Sequence, residues 1–147
     1  MALSAPLVGL TQTQSNFEGA ELDDVIAKFT DPDFDGLGAL DQIIVPPMFR
    51  YRFKLTVTGS MSPISARRRE AITSWAKANR NPDFAELFTH EVQIQRVNGN
   101  LWLPWQRSLV DPFRSELSRG GTMSVRVLFI GAIQREFMFV SIGYQQL

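Results

Sequence analysis

The sequence predicts a single α+β domain built on a mainly antiparallel five-stranded sheet. The sheet is expected either as a small, partly open barrel of the OB or SH3 type or as a curved sheet wrapped on its helices. Two observations favour this class. Segments with two-residue hydrophobic alternation are interspersed with segments of helical periodicity. In addition, 147 residues, of which 44% are hydrophobic and 20% charged, suit one globular domain with a substantial core.

The N-terminal region begins with an aperiodic stretch, residues 1–15, and continues into a predicted helix. Pro32 disfavours helical backbone at the preceding residue, so this helix is expected to end near Thr30. Acidic residues fill its first turn, where the helix dipole favours negative charge. Its apolar stripe has the spacing i, i+3, i+4, i+7 and consists of Leu22, Val25, Ile26 and Phe29.

The central region contains the clearest predicted strand, residues 49–58 (FRYRFKLTVT). Aromatic and aliphatic side chains alternate there with basic and polar ones, and Gly59 is expected to end the strand. A helix with Ser62 as N-cap and Pro63 as its first residue is expected next. A shorter helix is predicted to begin at Asn81-Pro82.

The C-terminal region adds four predicted strands and one helix. Residues 90–97 alternate, an Asn-Gly-Asn turn favours a hairpin, and residues 101–106 (LWLPWQ) return. Pro104 has no backbone N–H, so the returning strand is expected to be an edge strand, a bulged strand or a short one. A helix beginning at Asp111-Pro112 follows, and then come two long hydrophobic runs, residues 122–133 and 136–145, which predict central strands.

Several functional classes are disfavoured by the composition. The absence of cysteine removes disulfides, thiolate metal sites and a cysteine nucleophile, and a single histidine, His90, leaves little for a zinc site or a catalytic triad. We find no phosphate-binding glycine loop and no nucleophile or metalloprotease motif, so we expect a protein that is not an enzyme. No apolar run approaches the roughly 20 residues of a membrane span, so a soluble protein is expected. Cytoplasm, periplasm and a virion or other large assembly are equally compatible.

Charge is divided unequally along the chain although the total is zero. The acidic arm, Met1–Pro47, holds eight acidic residues and one lysine, a net −7, and the basic body, Met48–Leu147, balances it with +7. This division favours a noncatalytic interaction or assembly module, in which the arm docks on the body within one chain or between subunits of a homo- or hetero-oligomer. Ordinary solvated charge is the competing interpretation.

An acidic loop after the first helix partly matches a calcium-binding loop. EF-hand loops place oxygen ligands at positions 1, 3, 5, 7 and 12 with glycine at position 6. The corresponding ligands here are Asp31, Asp33, Asp35, the Leu37 carbonyl and Gln42, with Gly36 at position 6. Gln42 replaces the usual bidentate glutamate, and Pro46 and Pro47 interrupt any exit helix. The hypotheses are therefore a weak Ca²⁺ site, the one cofactor considered, or an acidic turn.

Two basic groups and two tryptophans are the remaining candidate binding residues. Six basic residues lie on the first long strand and on the helix after it, namely Arg50, Arg52, Lys54, Arg67, Arg68 and Arg69. They suggest a single-stranded nucleic-acid-binding barrel as an alternative function, although the strand's aromatic residues fall on its opposite face. Trp102 and Trp105 point to opposite faces of an alternating strand, so one of them is a candidate partner contact.

Overall fold

In a computed structural model the chain forms a seven-stranded sheet with helices on both sides, which confirms the predicted α+β class. The structure describes residues 18–30, 42–44, 49–97, 99–133 and 136–147. Within these ranges no helix is long and apolar enough to span a membrane. The elements in chain order are β1 (Glu18–Ala20), α1 (Leu22–Thr30), β2 (Gln42–Ile44), β3 (Arg50–Pro63), α2 (Ala66–Ala78), a 3-10 helix (Pro82–Leu87), β4 (Phe88–Gln95), β5 (Leu101–Gln106), a second 3-10 helix (Arg107–Leu109), α3 (Val110–Glu116), β6 (Gly121–Ile133) and β7 (Glu136–Gln146).

The five long strands lie in the antiparallel order β7-β6-β3-β4-β5. They are the five predicted strands, but β7, predicted to be central, pairs with β6 alone and lies at an edge of the sheet. Two short strands complete the sheet: β1 runs parallel to the first half of β3, and β2 pairs with the far end of β6. No ladder joins β5 to β7 among the described strands, so the sheet is not closed into a barrel. The two strands still approach each other, since the Gln106 side-chain amide donates to the Ser141 carbonyl at 3.1 Å.

Both faces of the sheet are covered by hydrophobic clusters. The inner core lies under α1 and α3 and includes Phe53, Ile94, Trp105, Phe113, Val127 and Phe129. The outer core lies under α2 and includes Ile72, Trp75, Phe88, Leu128, Ile130 and Val140. Successive residues of β6, such as Val127 and Leu128, therefore point into different cores. This explains the continuous hydrophobicity of the last two strands.

The helix predicted in the acidic arm is present as α1 and packs against the rest of the chain. Leu22 and Val25 are buried in the inner core, which accounts for the apolar stripe. Asp23, on the solvent side, accepts hydrogen bonds from Nε and Nη2 of Arg96 at 2.9 and 2.7 Å. The described part of the arm is thus joined to the body by the β1 and β2 ladders, by apolar packing and by an ion pair.

The boundary between β3 and α2 differs from the prediction. Gly59 does not end β3, because the strand continues to Pro63 after a register shift between Val57 and Met61. Gly59 has φ +98°, and a Cβ there would lie 2.8 Å from the Gly120 nitrogen, so a residue without a side chain is required.

The predicted N-cap of α2 was also wrong. Ser62 and Pro63 pair with Glu91 and His90 of β4, so their backbone is extended. The helix begins at Ala66, where the Ser65 hydroxyl accepts the Arg68 N–H at 3.3 Å. A cross-strand ladder formed by distant residues therefore overrides the local capping motif.

Candidate binding surface

The predicted alternation of β3 places a row of basic side chains on its outer side. This basic row consists of Arg50, Arg52 and Lys54. The alternating residues Tyr51, Phe53 and Leu55 are buried, whereas Arg52 and Lys54 are exposed and Arg50 is half-buried. In the described part of the chain, none of the three forms an ion pair. The basic row is therefore a positively charged surface.

A second arginine stands directly beside Arg52 on the neighbouring strand. Four residues are paired across the strands β1, β3, β6 and β7 in the order Gly19, Arg52, Arg126 and Gly143. A Cβ added to Gly19 would lie 3.4 Å from Nη2 of Arg52. A Cβ added to Gly143 would lie 3.1 Å from Cζ of Arg126 and closer still to its Nη2. The two guanidinium groups therefore lean in opposite directions, each over a glycine.

Between these arginines lies a polar depression of about 280 Å³, here called the arginine trough, which is lined by Arg52, Ser124, Arg126, Tyr144 and Gln145. Its floor is extended by the next cross-strand row, in which Lys54, Ser124 and Gln145 are paired neighbours. Partial burial lowers the pKa of the Arg126 guanidinium below its ordinary value. An arginine nevertheless stays protonated at physiological pH.

The other predicted basic group, on α2, is largely occupied by ion pairs. Arg67 and Arg68 both bind Glu136 at the start of β7, the latter through Nε at 2.8 Å. Arg68 also contacts the buried carboxylate of Glu91 at 3.2 Å. Arg69 is exposed and forms no ion pair with the residues the structure describes. Arg67 and Arg68 therefore attach the start of α2 to the sheet.

The two tryptophans differ in exposure. Trp105 is fully buried, and its Nε1 donates to the Leu109 carbonyl at 2.9 Å, so it belongs to the inner core. Trp102 is half-buried and borders a second depression of about 400 Å³ together with Arg68. The other residues around that depression are Ile26, Arg96, Asn100, Leu101, Glu136 and Phe137.

Of the predicted calcium ligands, only Gln42 lies within the described residues. Asp31, Asp33, Asp35 and Leu37 lie outside the described residues, and Gln42 begins β2, where it pairs with Ile133. The described ranges contain no cluster of three or more acidic or histidine side chains suited to a metal ion. The weak Ca²⁺ site therefore stays a prediction, to be checked by calorimetric titration.

Comparison with known proteins gives no assignment. No protein-family model matches the sequence, and neither a curated protein nor a solved structure matches it significantly. The function is therefore inferred from the surfaces described above.

Proposed function

We propose that the protein is a noncatalytic assembly module in which the basic row of one subunit binds the acidic arm of another. The observation that supports this most is the basic row itself. Three cationic side chains stand on one side of β3, and none of them is ion-paired with a described residue. The same chain carries a net −7 in Met1–Pro47, which is the complementary charge.

The ion pair and the apolar contact between arm and body within one chain lie away from the basic row. Asp23 of α1 pairs with Arg96, which follows β4, at 2.7 Å, and the helix packs on the inner core. The basic row points to the other side of β3. Arg52 leans over Gly19 of the arm there, and Lys54 borders a depression with Glu21 and Asp23. None of the three basic side chains forms an ion pair with the described part of the arm. In the proposed assembly the basic row binds acidic residues from a second copy, which creates a head-to-tail arrangement.

A protein segment suits this surface better than single-stranded nucleic acid does. Nonspecific single-strand binding combines a basic groove with aromatic side chains on which bases stack. The aromatic residues of β3 point the other way: Tyr51 and Phe53 are buried and stack on each other, with ring centroids 5.7 Å apart. The basic row therefore offers charge without a stacking platform.

Size-exclusion chromatography with light scattering tests the proposal. At low salt and high protein concentration we expect a mass above that of the 16.6 kDa monomer. At about 1 M salt the mass should fall toward the monomer, because the Debye length shrinks to about 3 Å. A monomer under every condition would contradict assembly.

Charge reversal identifies the surface. The triple variant Arg50→Glu, Arg52→Glu, Lys54→Glu should remain monomeric at low salt. A matched control, Lys77→Glu, Arg107→Glu, Arg119→Glu, changes the net charge equally at exposed positions and should assemble as the parent does. If both variants lost assembly equally, assembly would depend on net charge alone, and a specific surface would be contradicted.

Charge exchange then separates contacts between chains from contacts within one chain. The variant Asp31→Lys, Asp33→Lys, Asp35→Lys should be monomeric alone but should form a complex when mixed with the basic-row reversal variant. A contact within one chain predicts a different result. The two variants would stay monomeric when mixed, each would be less stable to unfolding than the parent, and only a chain with all six changes would regain that stability. That result would overturn the assembly proposal.

A further inference from the structure

We propose that the gap between the edge strands β5 and β7 is a docking site for an extended, uncharged segment, and that residues 1–17 of the same chain supply this segment. The gap, here called the seam, lies where the two strands begin and includes the depression of about 400 Å³ beside Trp102. The inference goes beyond the proposed function and does not depend on it, because it uses neither the basic row nor an acidic residue of the arm.

The two edge strands run in the same direction and are in contact at one end only. Towards the end of β5, the Gln106 side-chain amide donates to the Ser141 carbonyl at 3.1 Å, and the rings of Trp105 and Tyr144 are 5.3 Å apart. At the other end, the first two residues of each strand line the depression. The strands therefore diverge towards their beginnings, and the seam is the space between them.

Side chains from both sides of the sheet meet in the seam. Ile26 of α1 and Phe137 of β7 pack against the inner core. Arg68, on the opposite side, belongs to α2, which covers the outer core. No described strand fills the space between β5 and β7. The seam is therefore an interruption of the sheet at which an additional extended segment can lie.

The backbone of β7 directs hydrogen-bonding groups into the seam. The Ser141 carbonyl points away from β6, because it accepts the Gln106 amide of β5. In an antiparallel ladder the N–H and C=O of every second residue point to the same edge, so those of Phe137 and Phe139 also face the seam. The Phe129 N–H agrees with this orientation, since it donates towards β3 and not to its cross-strand partner Phe139. This edge can pair with an added strand.

The lining of the depression favours an uncharged occupant. Its three charged side chains already have partners: Arg96 pairs with Asp23 at 2.7 Å, and Arg68 pairs with Glu136 at 2.8 Å. A charged ligand would compete with these ion pairs. The rest of the lining consists of the Asn100 amide and four apolar side chains. Apolar side chains on a neutral segment complement such a surface.

Residues 1–17 have this composition. They contain no charged side chain, and they include the apolar run of residues 5–10 (APLVGL). The rest of the arm, by contrast, carries all eight of its acidic residues. We therefore assign residues 5–10 as the part of the segment that enters the seam.

The length of the segment allows it to reach the seam of its own chain. The four residues from Glu18 to Leu22 span at most about 14 Å, and one turn of α1 from Leu22 to Ile26 rises about 6 Å. The start of β1 thus lies within about 20 Å of Ile26, which borders the depression. Leu10 is eight residues before Glu18, so the chain between them can extend about 26 to 29 Å.

Attachment to the same chain also favours this occupant over a second copy. A short tether gives the segment an effective concentration near the seam on the order of millimolar. In the seam the segment would cover the free edges of β5 and β7, which otherwise can template pairing with another chain.

Cysteine cross-linking tests the position of the segment, since the chain contains no cysteine of its own. Leu7→Cys, Val8→Cys and Leu10→Cys are each combined with Asn100→Cys, and the full chains are oxidised with copper phenanthroline. At least one pair should form a disulfide within a monomer, which leaves no thiol for maleimide labelling. Absence of a cross-link at all three positions would overturn the assignment.

The control replaces Asn100→Cys by Lys77→Cys, an exposed position at the far end of α2. It should retain its free thiols over the same oxidation time. Equal cross-linking at both sites would mean that the segment does not select the seam. A disulfide-linked dimer through position 100 would assign the segment to a second copy and overturn the assignment to the same chain.

Hydrogen exchange at Phe137 tests the proposed pairing with β7. The variant Leu7→Asn, Val8→Asn, Leu10→Asn removes the apolar side chains without changing any charge, and exchange at this amide should accelerate about tenfold or more. The matched control Thr11→Asn, Thr13→Asn, Ser15→Asn changes the polar part of the segment and should exchange as the parent does. Unchanged exchange in the first variant would contradict the pairing.

A peptide titration identifies the occupant. The peptide of residues 4–12 (SAPLVGLTQ) should bind the Leu7→Asn, Val8→Asn, Leu10→Asn chain, and its asparagine form SAPNNGNTQ should not. The parent should bind the peptide at least about tenfold more weakly, because its own segment competes. Equal affinity for parent and variant would show that the seam is unoccupied in the parent. Loss of self-association in the asparagine variant, whose charges are all retained, would also overturn the assignment to the same chain.

Discussion

Tyr144 shows how one hydroxyl ties a strand to a helix in this fold. Its O–H donates to the Glu116 carboxylate at the end of α3, and its ring lies 5.3 Å from that of Trp105. Burial raises the pKa of Tyr144 above its ordinary value, and the hydrogen bond and negative charge of Glu116 add to the shift. The neutral phenol is therefore the form that stabilises the native state.

Tyr144→Phe should lower the free energy of unfolding by about 1 kcal/mol near pH 7, since it removes one hydrogen bond. Tyrosine in the unfolded chain titrates near pH 10. Because the folded-state pKa is raised, the contribution is fully present below pH 10 and is lost as pH rises beyond it. Urea unfolding between pH 7 and 11 should show the two proteins converging. A difference that stays constant across that range would contradict the assigned cause.

Glu116→Gln is the companion variant for this residue pair. It keeps an acceptor for the Tyr144 hydroxyl but removes the negative charge, so the pKa of Tyr144 should be raised less than in the parent, which ultraviolet titration of tyrosine ionisation measures. The same tyrosine titration curve in the parent and in this variant would show that Glu116 does not raise the pKa of Tyr144.

At the scale of elements, the strands and helices that were predicted correctly are those whose signal lies within their own stretch of sequence. The alternation in residues 49–58 identified β3 and the basic row. The edge position of β5 is one of the alternatives that Pro104 suggested. The stripe containing Leu22 and Val25 identified α1. These signals are intrinsic to each segment, and packing reinforces them.

Other features depended on partners distant in sequence and were missed. β1 and β2 have three residues each, too few to show a periodicity. A glycine after an alternating segment predicts the end of a strand. Gly59 instead packs closely against the turn after α3, and β3 continues past it. Arg126 sits inside a hydrophobic run, and only the strand register places it beside Arg52. No sequence pattern therefore predicted the trough, although Arg52, one of its two arginines, was among the predicted basic residues.

The attachment of α2 to the sheet depends on a buried carboxylate. Glu91, 5% exposed, accepts the Ser65 N–H at 3.2 Å and two contacts from Arg68 at 3.2 and 3.3 Å. Glu91→Gln should lower the free energy of unfolding by about 1.5 to 3 kcal/mol, because charge-assisted hydrogen bonds to a largely buried arginine are lost. Urea denaturation followed by circular dichroism measures the change.

The exposed pair between Arg114 and Asp111 is the control for this prediction. Its atoms are 3.9 Å apart and both side chains are mostly exposed, so Arg114→Gln should change stability by less than about 0.5 kcal/mol. Similar losses from Glu91→Gln and Arg114→Gln would mean that burial of the Arg68–Glu91 pair does not matter. Hydrogen exchange in the first turn of α2 should rise in the Glu91 variant alone.

At the scale of the whole molecule, one sheet serves two cores, and the acidic arm contributes to one of them. Neighbouring residues of β6, Val127 and Leu128, enter the inner and outer cores respectively. Leu22 of the arm closes the inner core. Since the cores share backbone, loosening one should loosen the other, and the arm's helix should unfold together with the body.

Leu22→Ala tests this coupling. Leu22 is 6% exposed, and truncating a buried leucine typically lowers the free energy of unfolding by about 2 to 5 kcal/mol. Leu87→Ala, at a position 39% exposed, is the matched control and should cost less than about 1 kcal/mol.

Tryptophan fluorescence reports both cores, because Trp75 lies in the outer cluster and Trp105 in the inner one, and its urea transition should coincide with that from circular dichroism. Leu22→Ala should move both transitions by the same amount. Separate midpoints, with Trp75 unaffected, would mean that the helix of the acidic arm docks on an independently stable body.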